Sequence, residues 1–139
     1  MIEPGDEASG VILHVPHASR YIPENELERF VLDQAGLEAE LDAITDRHTD
    51  GLARAAADKS KVKPWVLVNR NSRLLFDPER LPDDREAMRA VGMGVVYLRT
   101  TDQRQLRRPD PDDDQRLMET YYWPYAKAME DLVRQRLRE

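Results

Sequence analysis

The chain has no cysteine among its 139 residues. That one absence excludes disulfide scaffolding, thiolate zinc sites and a thiol nucleophile together. There is also no apolar stretch approaching the ~20 residues that cross a bilayer as a helix. The start, Met1-Ile2-Glu3-Pro4-Gly5-Asp6-Glu7, is acidic rather than basic-then-apolar. It does not read as a secretory signal, and the expected location is the cytoplasm. Positive charge is not in excess: the formal net charge is −6. Neither nucleic acid nor a membrane is therefore an expected partner. Repeats and low-complexity tracts are lacking too. What remains is one domain's worth of chain, 40% hydrophobic and 35% charged, enough for a core beneath a well-charged surface.

Within it, Val11-Ile12-Leu13-His14-Val15-Pro16-His17-Ala18-Ser19 is the most telling segment. An apolar run without polar alternation suits a strand buried on both faces. Pro16 cannot donate to a ladder, so the strand ends there. His17 then falls beyond a strand's carboxyl end, where open α/β sheets bind ligands. A packed, hydrogen-bonded histidine is the alternative reading, and the residues alone leave both open. His14 lies three positions earlier, on the opposite strand face, and reads as structural or supporting.

Further along, a short helix is expected over 24–33 and a long one over 37–59. In the latter, Leu37, Leu41, Ile44, His48, Leu52 and Ala55 make one stripe. Asp46 and Asp50 share the opposite face, so any role for them needs a break near Thr45 or a cleft against that face. Pro64 to Asn69 is a second buried strand, Leu74-Leu75-Phe76 a short one, and Val95 to Leu98 a third, with a helical turn or two over 85–91. Asp110 is an N-cap, Pro111 fits the first helical position, and Asp112 to Asp114 suit the positive end of the dipole. That acidic run is helix-start chemistry rather than a metal site. Pro124 should kink or break the last helix, and Tyr121, Tyr122, Trp123 and Tyr125 should pack it onto the sheet. The helix runs to Glu139 with no closing strand, so the chain reads as incomplete at its C-terminus. The expected fold is α/β: one domain over 1–139, three helix/sheet/helix layers, and a mostly parallel or mixed sheet.

Five segments in this order resemble the N-formylglutamate amidohydrolase family. His14-Val15-Pro16-His17-Ala18-Ser19 looks like its H-V-P-H-[AS]-[GS] opening, and Asp46 to Leu52 is similar to D-x-x-[TV]-D-x-L. Ser72 to Arg80 looks like S-R-[LF]-x-x-D-x-[NE]-R. Gly92 to Tyr97 is similar to the glycine-led strand that follows, and Tyr121 to Ala126 resembles part of Y-x-x-P-Y-H. The resemblance covers nearly the whole chain. It implies a phosphorylase/hydrolase-like fold related to zinc exopeptidases, and a zinc-dependent amidohydrolase removing a formyl or acyl group from an acidic amino acid such as N-formylglutamate, a step of histidine degradation. It implies Zn2+ on His17 and on a carboxylate of Asp46 or Asp50, Asp46 first. Asn71, Arg73 and Arg80 would contact a small acidic N-acyl amino acid, since a guanidinium fork pairs with a carboxylate. An ordinary salt-bridge network is the other reading of Arg73, Asp77 and Arg80, in which Asp77 orients an arginine.

Two departures stand out. Ala126 sits where the family has histidine, and the family's later D-x-H-S strand, with a further ligand, is not reached. The general base is not assignable. These departures keep a second class of function open: a non-catalytic fragment or relative that binds a partner through an incomplete metal site. A third reading has the site completed by another polypeptide, through self-association or pairing at an open sheet edge.

Overall fold

The computed structural model describes residues 1–137 and shows an α/β fold around a small mixed sheet. Strand β1 is Ile2–Glu3, β2 is Ile12–Val15 and β3 is Trp65–Val68, in the order β1-β3-β2. β2 runs parallel to β3 with Leu13 opposite Val66, while β1 is antiparallel with Ile2 opposite Leu67. Helices α1 (Glu24–Leu27), α2 (Gln34–Ile44) and α3 (Thr49–Lys59) form the crossover from β2 to β3. Helices α4 (Pro111–Leu117) and α5 (Trp123–Arg136) close the described chain, joined by a π turn over Met118–Tyr122.

Alternation along the strands distributes the sheet's side chains. Val15, Val66 and Val68 are buried with Ala57 of α3, and Leu13 and Ala53 pack against them. Each such valine adds about 1.5–3 kcal/mol by leaving water. The opposite parity faces α5: His14 bonds the Tyr125 hydroxyl at 2.8 Å, and the Arg136 guanidinium lies 4.4 Å from the Trp65 ring centre. A larger core of Ile22, Phe30, Leu41, Ile44, Leu74, Met93, Tyr97 and Leu106 fills the space beyond the sheet's carboxyl edge.

β1 is held close to the segment before β3. A Cβ on Gly5 would come within 2.4 Å of the Lys63 carbonyl oxygen and 2.5 Å of the Pro64 carbonyl carbon. Both obstacles are backbone and cannot swing aside. Gly5→Ala is expected to cost about 1–3 kcal/mol, the usual range for overpacking, measured as a fall in urea unfolding free energy.

Several expected elements differ. The helix over 37–59 is two helices. Thr45 leaves helical geometry (φ −88°, ψ 125°) and His48 takes the left-handed region (φ 68°). The cause is tertiary: the Asp46 amide bonds the His17 carbonyl at 3.0 Å instead of continuing the helix. The stripe fails accordingly beyond Ile44, since His48 is exposed and Leu52 is 70% exposed. Residues 24–33 give only one helical turn, because the Val31 amide goes to the Leu106 carbonyl and Phe30 bridges to Arg107. Leu74–Phe76 and Val95–Leu98 are not strands. They are irregular, mostly buried segments, tied by the Asp77 amide to the Val95 carbonyl and by an isolated Met93–Tyr97 bridge. Their apolar runs reflect burial, which a strand and a packed loop share.

Asp110 does cap α4, accepting from the amides of Asp112 and Asp113. Pro124 neither ends nor sharply breaks the last helix. It lacks the N–H for the Thr120 carbonyl, and the π turn takes up that register, with the Trp123 amide reaching back to the Met118 carbonyl. Tyr121, Tyr122 and Tyr125 pack with Leu75, Phe76 and Val95, more against loop core than sheet, while Trp123 stays exposed. α5 ends at Arg136, and residues 138–139 of the expected helix lie outside the described residues. Among the described residues no helix is long and apolar enough to cross a membrane.

Candidate functional site

Past Pro16 the chain turns, and His17 sits at the carboxyl end of β2 with only 3% exposure. Its ring is gripped from behind by Asp77, whose Oδ1 lies 2.8 Å from His17 Nε2. Asp77 has no exposed surface and is the hub of the region. Its Oδ2 accepts from Arg73 Nη2 at 2.7 Å and Nε at 3.2 Å, and from the Tyr97 hydroxyl at 2.7 Å. Its Oδ1 also accepts the Glu79 amide at 3.0 Å, and Arg80 Nε stands 3.5 Å from Oδ2.

A carboxylate with no exposed surface pays desolvation, which favours its neutral form. Here burial is outweighed by the hydrogen bonds from His17 and Tyr97 and the Arg73 charge, which together hold Asp77 well below the usual carboxylate range. Burial, then the facing Asp77 charge, push the Tyr97 hydroxyl up to about 12, so it remains a donor. Burial also works against the Arg73 charge, but Asp77 and Tyr97 more than offset it and raise its pKa.

Ionised Asp77 can only accept, which fixes the proton on His17 Nε2 and leaves Nδ1 facing the other way. Two carboxylates stand there: Asp46 Oδ2 at 3.5 Å and Glu79 Oε2 at 3.6 Å from Nδ1. Both are well exposed, at 57% and 52%. Among the described residues, no group of three or more His, Cys, Asp or Glu side chains is close enough to hold a metal ion as they lie.

The sequence-derived candidates divide. His17, Asp46, Arg73 and Arg80 come together around Asp77. Asp50 does not join them: it binds Arg54 at 2.7 Å, and Arg54 in turn clasps Glu3 of β1 at 2.8 Å. Asn71 uses its amide to turn onto Asn69 Oδ1 at 3.0 Å and lines a groove of about 400 Å³ with Leu67, Phe76 and Tyr125. His14 is on the far strand face from Val15, bonded to Tyr125, and burial lowers its pKa. His48, expected to pack in the core, is exposed at the start of α3.

Sequence reasoning did not single out Tyr97 or assign Glu79 a role. Tyr97 is wholly buried and its hydroxyl completes the Asp77 shell, yet in sequence it reads as one more strand residue. Glu79 falls inside the Ser72–Arg80 segment, two residues after the hub, which was the available signal.

Arg73 and Arg80 share the Asp77 carboxylate, and Arg80 Nη1 also stands 3.9 Å from Glu86 Oε1. Arg80 Nε makes no hydrogen bond although it is buried. A guanidinium in that state is suited to an incoming carboxylate.

A family profile described as N-formylglutamate amidohydrolase matches residues 9–139. The fold is similar to the crystal structure of N-formylglutamate amidohydrolase from Ralstonia eutropha JMP134, with a TM-score of 0.73 and 20% identity over 96% of this chain and 51% of that one. A gene product of Agrobacterium tumefaciens is similar too, with a TM-score of 0.70 and 19% identity over 97% of this chain and 50% of that one. The chain thus spans about half the length of these solved structures. No curated protein matches it.

Proposed function

The chain belongs to the N-formylglutamate amidohydrolase family, and from that premise we propose that it is the N-terminal part of a longer zinc-dependent amidohydrolase domain of the zinc-exopeptidase kind. The proposed reaction removes a formyl or acyl group from an N-acylated acidic amino acid such as N-formylglutamate. The same reading sets that reaction in the cytoplasm, in histidine degradation.

One observation carries the proposal: a buried imidazole, oriented by a buried carboxylate, turns its free nitrogen toward acidic oxygens. Carboxylate–histidine pairs of this kind orient metal ligands and raise their basicity. The donor chemistry fits a divalent cation. An imidazole nitrogen and carboxylate oxygens are donor types such a cation takes, and Asp46 and Glu79 both lie near Nδ1. The N···O separations of 3.5 and 3.6 Å also resemble the ~3.4 Å between nitrogen and oxygen ligands on a tetrahedral zinc with bonds of about 2.0–2.2 Å. When bound there, zinc supplies Lewis acidity toward an amide carbonyl and a nucleophile at neutral pH.

The protein groups have distinct tasks. His17 and Asp46 hold the cation, and Asp77 fixes the His17 tautomer and ring plane through its 2.8 Å bond. Tyr97 and Arg73 keep Asp77 ionised. Arg80, with Arg73 beside it, receives a substrate carboxylate. In a steady-state assay of formate release from N-formylglutamate by the full-length polypeptide with zinc, Arg80→Ala should raise KM about tenfold or more while moving kcat less. That is the mark of lost substrate binding. Equal KM in parent and variant would remove the assignment of Arg80.

The second reading, a binding domain without catalysis, draws on Ala126 and on the absence of a closed three-donor group among the described residues. No formate release by the full-length polypeptide under any metal loading would favour it. β2 is an edge strand, and pairing along it with the rest of the domain or with a second copy belongs to the proposal. Mass in solution tests that pairing.

A further inference from the structure

We propose that Arg70 and Asn69 form the subsite for the side-chain carboxylate of an N-acylated acidic amino acid, in a cavity beside His17. The inference rests on the reading above that the chain acts on such a substrate. It makes Arg70 the residue that separates acidic from neutral side chains.

An acidic substrate carries two carboxylates, and Arg80 with Arg73 receives one. The α-carboxylate is separated from the scissile nitrogen by a single carbon. It therefore belongs with the arginines grouped around Asp77, which itself touches the His17 ring. The side-chain carboxylate lies further out and needs a cation of its own.

Sheet register places Arg70 for that role. Val15 of β2 stands opposite Val68 of β3 in a parallel pair, so His17 and Arg70 each follow one paired position by two residues. The Asn69 amide bonds the Val15 carbonyl at 2.9 Å, and Ser19 Oγ donates to the Arg70 carbonyl at 2.6 Å. These bonds tie the loop after His17 to the loop after β3. Between them and α3 lies a cavity of about 360 Å³, lined by Ala18, Ser19, Asn69 and Arg70 and by Asp50 and Arg54 of α3.

Two donors in this lining lack a proper acceptor. Arg70 makes no ion pair among the described residues, and its guanidinium rests on the Met1 sulfur, a weak acceptor. Asn69 is 1% exposed; its Oδ1 accepts the Asn71 amide at 3.0 Å, while its Nδ2 has no hydrogen-bond partner. A buried donor left in that state is costly, and an entering carboxylate oxygen removes the cost. The acid already in the lining does not serve, because Asp50 is bonded to Arg54 at 2.7 Å, and Arg54 also clasps Glu3 at 2.8 Å. A carboxylate offers a guanidinium two oxygens and a full charge. A side-chain amide offers one oxygen, no charge, and N–H groups of its own that would face donors.

Steady-state formate release by the full-length polypeptide with zinc, on N-formylglutamate and on N-formylglutamine, tests this. The parent should prefer the acid by about tenfold or more in kcat/KM. In Arg70→Gln that preference should fall to near unity, chiefly through a higher KM for N-formylglutamate, and Arg70→Lys should keep part of it. Arg80→Ala, which acts at the α-carboxylate, should weaken both substrates alike and so retain the preference. Arg70 is exposed, and thermal melting establishes that its variants are folded. A parent without preference for the acid, or Arg70→Gln with the parent's preference intact, overturns the inference and leaves the amidohydrolase reading standing. Turnover of neither substrate by the parent brings down both.

Discussion

Asp77→Ala is expected to be the most damaging single substitution for stability, costing about 3–5 kcal/mol of unfolding free energy at pH 7. Asp77 has no exposed surface and satisfies His17, Arg73 and Tyr97 at once. Removing it leaves a largely buried guanidinium and a buried hydroxyl without their acceptor, and that penalty exceeds the loss of the bonds themselves. The pH dependence follows from the depressed pKa. A carboxyl whose folded pKa lies below its unfolded value contributes fully above the ordinary value of about 3.9. That contribution is lost as pH falls from there through the folded pKa. The gap between parent and variant should therefore be full near neutrality and shrink on acidification below about pH 4. Urea unfolding at neutral and acid pH reads both effects. A neutral-pH difference under about 1 kcal/mol would mean that Asp77 is not the hub described here.

The second large effect is catalytic. In the full-length polypeptide, His17→Ala should lower formate release from N-formylglutamate by about 10³-fold or more, equivalent to about 4 kcal/mol of transition-state stabilisation. It removes the cation ligand and the group that Asp77 orients. His14 makes the informative comparison: it is three residues away and equally an imidazole, but it bonds Tyr125 instead. His14→Gln should leave turnover much closer to the parent. Similar losses in both variants would mean that the first strand matters for packing alone.

Much of this site was legible before any coordinates. Pro16 marked where β2 ends, and strand parity separated His14 from His17. The Ser72–Arg80 segment contained Arg73, Asp77, Glu79 and Arg80 in one motif. The long helix was misread for a definite reason: propensity and periodicity favour continuity through Thr45, and only the bond from the Asp46 amide to the distant His17 carbonyl breaks it. That same break places Asp46 beside His17, so the helical pattern that counted against Asp46 was a local preference overridden by a tertiary contact. Asp50 shows the converse. It shares the helix-face spacing with Asp46, yet Arg54, one turn on, neutralises it. The expected third strand failed because Val95 and Tyr97 are buried by loops and helices, and apolar content does not tell that burial from a ladder.

The most direct measurement is anomalous diffraction at the zinc edge from crystals of the protein grown with zinc. The account predicts one principal peak about 2.0–2.1 Å from His17 Nδ1, with the Nε2–Asp77 bond retained and a carboxylate oxygen of Asp46 also in coordination range. A peak on Nε2 with Asp77 displaced, or zinc bound only at sites remote from His17, would contradict it.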